Sequence, residues 1–318
     1  MHAMTVSSVR ALSASAVVLL AGSAASAIVI PTVTIGAPGN AADPATGNLY
    51  GSVGYVYNLG TTEVTNAQYT AFLNAVAASD PNGLYHTSMG FPGIGQWGGI
   101  TRSGSPGSYT YATMAGRENW PVNWVSFWDA TRFANWLHNN QPTGPQGPAT
   151  TEDGAYTLTS SGIAANSITR NAGWRWAIAS GDEWYKAAFY QPPAAGGPAS
   201  GYWLYGTSSN TISQAVANYS GLSPTPAGSY AANYWGAQDM AGNMWERNEA
   251  TFPWDLSGRG LIGGSFISGT DTLQSNYFGP SDPALHWYDY GFRVVALPTP
   301  SAATLAAIGV LAVNRRRR

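Results

Sequence analysis

Three hydroxyl residues constrain the fold of this chain most, because each fixes where a helix can begin. Thr65 with Gln68, and Ser180 with Glu183, have the capping-box spacing, in which each side chain satisfies an orphan backbone N–H of the first turn. Ser126 is an N-cap of the same kind. Behind each cap the apolar residues recur at helical spacing: Tyr69, Phe72, Leu73 and Val76; then Ala130, Phe133, Ala134 and Leu137; then Trp184, Ala187 and Ala188. Pro192 and Pro193 close the third helix, and a proline-glycine loop over 141–148 closes the second.

Between these helices the chain reads as strand and loop. Residues 28–59 are an entry strand and loop with β-branched clusters at 28–30 and 32–35, and the domain proper is expected to begin near Tyr55. Residues 80–119 are mainly loop, and about 202–295 reads as short strands and long turns. Gly93, Gly95 and Gly98 match a dinucleotide fingerprint in spacing only, since no strand precedes them and no helix follows. The expectation is a single α+β domain rich in ordered loop.

The two ends read as processing signals. Arg10 precedes an apolar run over 11–21, and Ala25-Ser26-Ala27 has the small-residue cleavage pattern of a secretory signal peptide. Pro298-Thr299-Pro300, an apolar run over 301–313 and Arg315 to Arg318 have the layout of a sorting signal that stalls in a membrane, positive end inside. Removing both takes five arginines from the 14 bases, leaving nine against 16 acids, a formal charge of 9 − 16 = −7. Such a surface disfavours nucleic acid and anionic lipid. With no cysteine, disulfides, zinc-thiolate and copper-thiolate sites and thiol nucleophiles are excluded.

The densest chemistry lies in Gly236 to Arg247. Asp239 and Glu246 stand seven apart with Gly242 and Asn243 between them, so two carboxylates and the intervening carbonyls could converge on a hard cation. An ordinary polar turn with Trp245 as a core anchor fits the spacing as well.

With its neighbours, this stretch resembles the Asp-Met-x-Gly-Asn-x-Trp-Glu signature of the formylglycine-generating enzyme, or sulfatase-modifying factor, family. Four further blocks agree in order: 60–69, Pro121 to Ala130, Asp182 to Ala188, and Gly263-Gly264-Ser265-Phe266 with Gly291-Phe292-Arg293. The resemblance implies an α+β formylglycine-generating-enzyme fold, C-type-lectin-like, over residues 50–297. Residues 1–27 would be a signal peptide and 28–49 an N-terminal segment. Residues 298–318 resemble a PEP-CTERM sorting signal of exported bacterial proteins, with Thr299 where that family usually has glutamate.

Carried over by residue, the resemblance implies structural calcium on Asp239, the Gly242 carbonyl, the Met244 carbonyl and Glu246. A second site would begin at Asn218 and Tyr219, but no acid follows between Gly221 and Ala227. The family's oxidase chemistry uses a cysteine pair, and Ser268 falls at the first of these positions. A hydroxyl cannot hold copper(I) as a thiolate does.

The resulting expectation is an exported, cell-surface or extracellular, non-oxidase binding or structural module. It would meet an extracellular ligand, polysaccharide or protein, through aromatic loops such as 91–97 and 286–290, and touch the membrane only through its C-terminal signal. The alternative is a metal-dependent oxidoreductase of non-haem iron type whose site the sequence does not identify; His138, His286 and a carboxylate are one candidate set.

Overall fold

All three helices form where their caps place them. The computed structural model describes residues 27–298. The stretches read as signal peptide and sorting signal lie outside the described residues, apart from Ala27 and Pro298. Helix α1 (Asn66–Val76) starts at Thr65, whose N–H donates to Gln68 Oε1 at 2.9 Å while Gln68 N–H donates back to Thr65 Oγ1 at 3.3 Å. Helix α2 (Phe127–His138) is boxed by Ser126 and Asp129, and helix α4 (Gly181–Phe189) by Ser180 and Glu183. Helix α3 (Ser160–Ala164), capped by Thr159, is too short for periodicity to reveal.

Strands β1 (Thr32–Ile35), β2 (Tyr57–Gly60), β10 (Val294–Ala296) and β5 (Trp176–Ile178) pair antiparallel in that order. Val33, Leu59, Val295 and Ala177 are in register, so they share one face. That face looks inward, with Leu59, Val295 and Ala177 fully buried. Residues 28–30 are not a strand.

The segment over 28–49 is no appendage to a domain starting at 50. It supplies β1, and its buried Asp43 accepts a hydrogen bond from Tyr185 of α4 at 2.7 Å. The boundary expected near 50 therefore moves towards the N-terminus.

A hairpin of β3 (Ile100–Ser103) and β4 (Thr110–Thr113) lies against α1. The remaining strands, β6 (Trp245–Asn248), β7 (Arg259–Ile262), β8 (Phe278–Ser281) and β9 (Tyr290–Phe292), form a mixed sheet in the order β8-β7-β6-β9, with β6 and β9 parallel. That parallel pairing sets the Trp245-Glu246 end of the signature beside Gly291 and Phe292, and hence close to Arg293.

The core is aromatic. Tyr69 and Phe72 of α1 meet Phe133 of α2 at 6.0 and 5.3 Å between ring centroids, and Phe133 meets Phe292 edge-on at 5.4 Å. Such pairs add about 0.5–1.5 kcal/mol each beyond the area they bury. No helix among the described residues is long and apolar enough to cross a membrane.

Candidate functional site

The signature is buried and bonded internally. Glu246 is fully buried, and its carboxylate accepts from Arg293 Nε at 2.6 Å, Arg293 Nη2 at 2.5 Å and Trp184 Nε1 at 2.7 Å. Arg293 is also fully buried and spends its remaining donors on the carbonyls of Gly60 and Gln238. Charge and hydrogen bonds are thus satisfied together, the condition under which a buried pair is tolerated. Trp245 is only half buried and packs on Tyr277 at 5.8 Å, so Trp184 is the core anchor here.

The arrangement does not fit a calcium shell on these residues. A cation on Glu246 would lie against a guanidinium and compete with three hydrogen bonds. Asp239, in the left-handed region at φ 57°, turns Oδ2 onto the Gly228 N–H at 2.5 Å. Gly242, at φ 79°, forms a bridge with Asn218, whose carbonyl oxygen would lie 2.1 Å from a Cβ at that position. This close approach is why glycine stands there.

Met244 is buried against Gly291. The Asn218 amide donates to the Ser223 carbonyl at 3.0 Å, and the Tyr219 carbonyl already accepts from Gln214 Nε2 at 2.9 Å. All six residues fold together, but as a bonded joint.

Beside that joint lie two under-satisfied carboxylates. Glu63 accepts from Asn243 Nδ2 at 2.9 Å through one oxygen, while its other oxygen and Asp239 Oδ1 have no partner. Burial, then the neighbouring Asp239 charge, hold Glu63 well above the usual carboxylate range, and burial pushes Asp239 up to about 6. Asp239 retains part of its charge stabilisation from the Gly228 N–H and Arg293.

The two loops that the sequence marked as ligand-facing do come together, through a residue given no role there. Trp124, at φ 59°, donates from Nε1 to the Gln96 carbonyl at 2.6 Å, and its own N–H donates to the Trp287 carbonyl at 3.0 Å. Asn123 Nδ2 donates to the Gln96 and Tyr288 carbonyls at 3.0 and 2.7 Å. Asn123 and Trp124 therefore pin the 91–97 loop to the 286–290 loop.

Along this seam the rings run Trp97, Phe266, Tyr288, Trp124, His86, His286, with neighbouring centroids 5.0–6.3 Å apart. Trp287 (44% exposed), Phe91 (56%) and Ile94 (89%) leave much of the rim facing water. This face thus combines exposed apolar groups with loops tied by hydrogen bonds.

Two polar features border the rings. His286 Nε2 meets Asp129 Oδ2 at 2.9 Å, and that oxygen also takes the Ser126 hydroxyl at 2.6 Å. Burial, then the neighbouring His286, hold His86 below the usual imidazole range. Elsewhere Ser265 Oγ donates to the buried Asp289 Oδ2 at 2.7 Å and meets Ser268 Oγ at 3.3 Å, while Asp289 Oδ1 has no partner. Burial pushes Asp289 up to about 6.

The candidate iron set of His138, His286 and a carboxylate is not assembled. His138 closes α2 and accepts from the Arg175 N–H, whereas His286 sits at the helix start on Asp129. Nine residues of helix separate these ends by about 13 Å. His86 and His286 do meet, but stacked at 5.0 Å and 20°, which sets their nitrogens side by side instead of around one point. Among the described residues, no group of three or more His, Cys, Asp or Glu could hold a metal ion.

Reasoning from sequence missed Arg293, Trp124 and Asp289 as working residues. Arg293 and Trp124 stood inside recognised blocks, and Asp289 inside the loop taken as ligand-facing. Only three-dimensional pairing gives them partners.

Two solved structures share the fold. Treponema denticola variable protein 1 aligns with a TM-score of 0.54 at 19% identity, covering 84% of this chain and 95% of that one. CarF aligns at 0.53 and 20%, covering 85% and 99%. PvdO from Pseudomonas aeruginosa aligns at 0.48 and 15%, covering 84% and 92%. No curated protein sequence matches the chain. Residues 37–297 match the sulfatase-modifying factor enzyme 1-like domain, so the chain belongs to that family.

Proposed function

We propose that this chain is an exported, non-oxidase member of its family, a surface binding module that engages an extracellular polysaccharide or protein through the aromatic seam around Trp124. The observation that carries the reading is the pinning of the 91–97 and 286–290 loops by Asn123 and Trp124, which holds Trp287 and Tyr288 in place before any ligand arrives. Preorganised aromatic residues lose little entropy on binding, so their burial converts efficiently into affinity. The absence of cysteine and the hydroxyl of Ser268 at the family's cysteine position remove the copper chemistry. Glu246 and Arg293 supply internally the charge balance that a cation would otherwise provide.

The test is co-sedimentation of the exported protein with envelopes isolated from its native host. Wild type should pellet with them, and Trp287→Ala with Tyr288→Ala should remain in solution at an unchanged melting temperature. Equal retention of both proteins would overturn the assignment of this surface. Conversion of a sulfatase-type cysteine peptide to formylglycine, with or without added copper, would overturn the non-oxidase reading.

A further inference from the structure

The outer face of the first sheet carries a separate cavity of about 580 Å³, a volume typical of small-molecule sites. Its floor follows from strand register: Asn58, Ala296 and Trp176 stand opposite one another across β2, β10 and β5, on the face turned away from Leu59 and Val295. Trp174, Arg175 and Asn140 form a wall, and Thr32 completes the floor. None of these residues belongs to the seam around Trp124.

The polar groups here are biased towards donation. Asn58 Oδ1 already accepts from Thr34 Oγ1 at 2.9 Å, and Asn140 Oδ1 accepts from Arg175 Nη1 at 3.1 Å. The carbonyl end of each amide is occupied, and neither Nδ2 has a partner among the described residues. The indole N–H groups of Trp174 and Trp176 are likewise without protein acceptors there. Arg175 is exposed but tethered, bonded through its guanidinium to Asn140 and to the His138 carbonyl, and the position of Asn140 is set by its left-handed backbone at φ 66°.

No carboxylate lines the cavity, and Arg170 stacks over the Trp174 ring at 4.3 Å. A cationic ligand would therefore meet the Arg175 guanidinium and no acid among the described lining residues, Arg170 being paired with Glu183 and Glu249. An acceptor-rich anion would find a guanidinium, amide donors and indole faces within one small volume.

We propose that this cavity is a second binding site, for a carboxylate-bearing sugar unit of an extracellular polysaccharide. The Trp176 and Trp174 rings cover the apolar C–H face of a pyranose, the free amide groups of Asn58 and Asn140 donate to its hydroxyl and ring oxygens, and Arg175 takes the carboxylate. The site is independent of the aromatic seam, and either can stand without the other. On a protein of net negative charge, it is a local positive exception that lets an acidic polymer be held without general attraction to polyanions.

The test is isothermal titration of the exported protein with a disaccharide of glucuronic acid and with the matching disaccharide of glucose, at low and moderate salt. The acidic sugar should bind roughly tenfold or more tightly than the neutral one, the effect of one hydrogen-bonded charge. Arg175→Gln should reduce acidic-sugar affinity to the neutral level, with the melting temperature unchanged. Trp176→Ala should abolish both, and Trp176→Phe, which keeps a ring on the sheet, should retain measurable binding. Equal affinities for the two sugars, undetectable binding of both, or acidic-sugar binding that survives both Arg175→Gln and Trp176→Ala would each overturn the proposal.

Discussion

The buried joint around Glu246 and the seam around Trp124 use the same residue types to opposite ends. At Glu246 the carboxylate and the Arg293 guanidinium are fully buried and paired, although the adjoining Glu63 and Asp239 each keep one oxygen without a partner. Along the seam the backbone is equally well tied, but the side chains it carries are left partly in water, and the nearby Asp289 keeps an oxygen without a partner. The joint fixes the relation of β6 to β9, and the seam presents a surface. A dense cluster of oxygen donors in sequence can therefore be architecture, while the exposed aromatic seam is gathered from distant loops.

The sharpest way to break this contrast is to unpair the joint. Glu246→Gln leaves Arg293 as a buried charge without its counter-ion, and should cost about 3–5 kcal/mol, read by chemical denaturation. A loss under about 1 kcal/mol would mean that the pair contributes little to the fold.

Asp289→Asn should act in the other direction. A carboxyl raised to about 6 when folded favours the protonated form, so its contribution is present below about pH 4 and is lost as pH rises through about 6. At pH 7 the amide removes that penalty, raising stability by up to about 3 kcal/mol and flattening the pH profile between 4 and 6. An unchanged profile would place the ionised carboxylate in water.

Trp124→Ala should cost about 2 kcal/mol, since a half-buried indole and its hydrogen bond to Gln96 are lost. Its larger effect should be loosened packing of the 91–97 and 286–290 loops, seen as faster amide exchange in both. Exchange rising in one loop alone would show that Trp124 does not join them. Ser265→Ala is the mildest change, about 1 kcal/mol, with Asp289 titrating higher still once its hydroxyl donor is gone.

The helices were legible because a cap is local chemistry: Thr65, Ser126 and Ser180 needed only the residues three positions on. The core faces of α1, α2 and α4 followed from spacing for the same reason. Strand pairing was not legible, since β6 lies parallel to β9 across more than forty residues, and only that pairing gives Glu246 its Arg293. Nor could sequence show Trp124 in a left-handed backbone, a conformation costly for any bulky residue and maintained here by four hydrogen bonds from it and Asn123. The sequence singled out Asp239 and Glu246 by their spacing, and the fold buries both. What spacing could not convey was which counter-charge would reach them first.

That question has a direct measurement, thermal unfolding of the purified protein in saturating calcium and in chelator. With Arg293 as the counter-ion of Glu246, the two melting temperatures should agree within about 1 °C, because a ligand that does not bind the folded state does not stabilise it. A calcium ion held at the joint and present at about a hundred times its Kd would add about 2.7 kcal/mol, about 5 °C or more for a domain of this size. A rise of that order in wild type, absent from Glu246→Gln, would contradict the account.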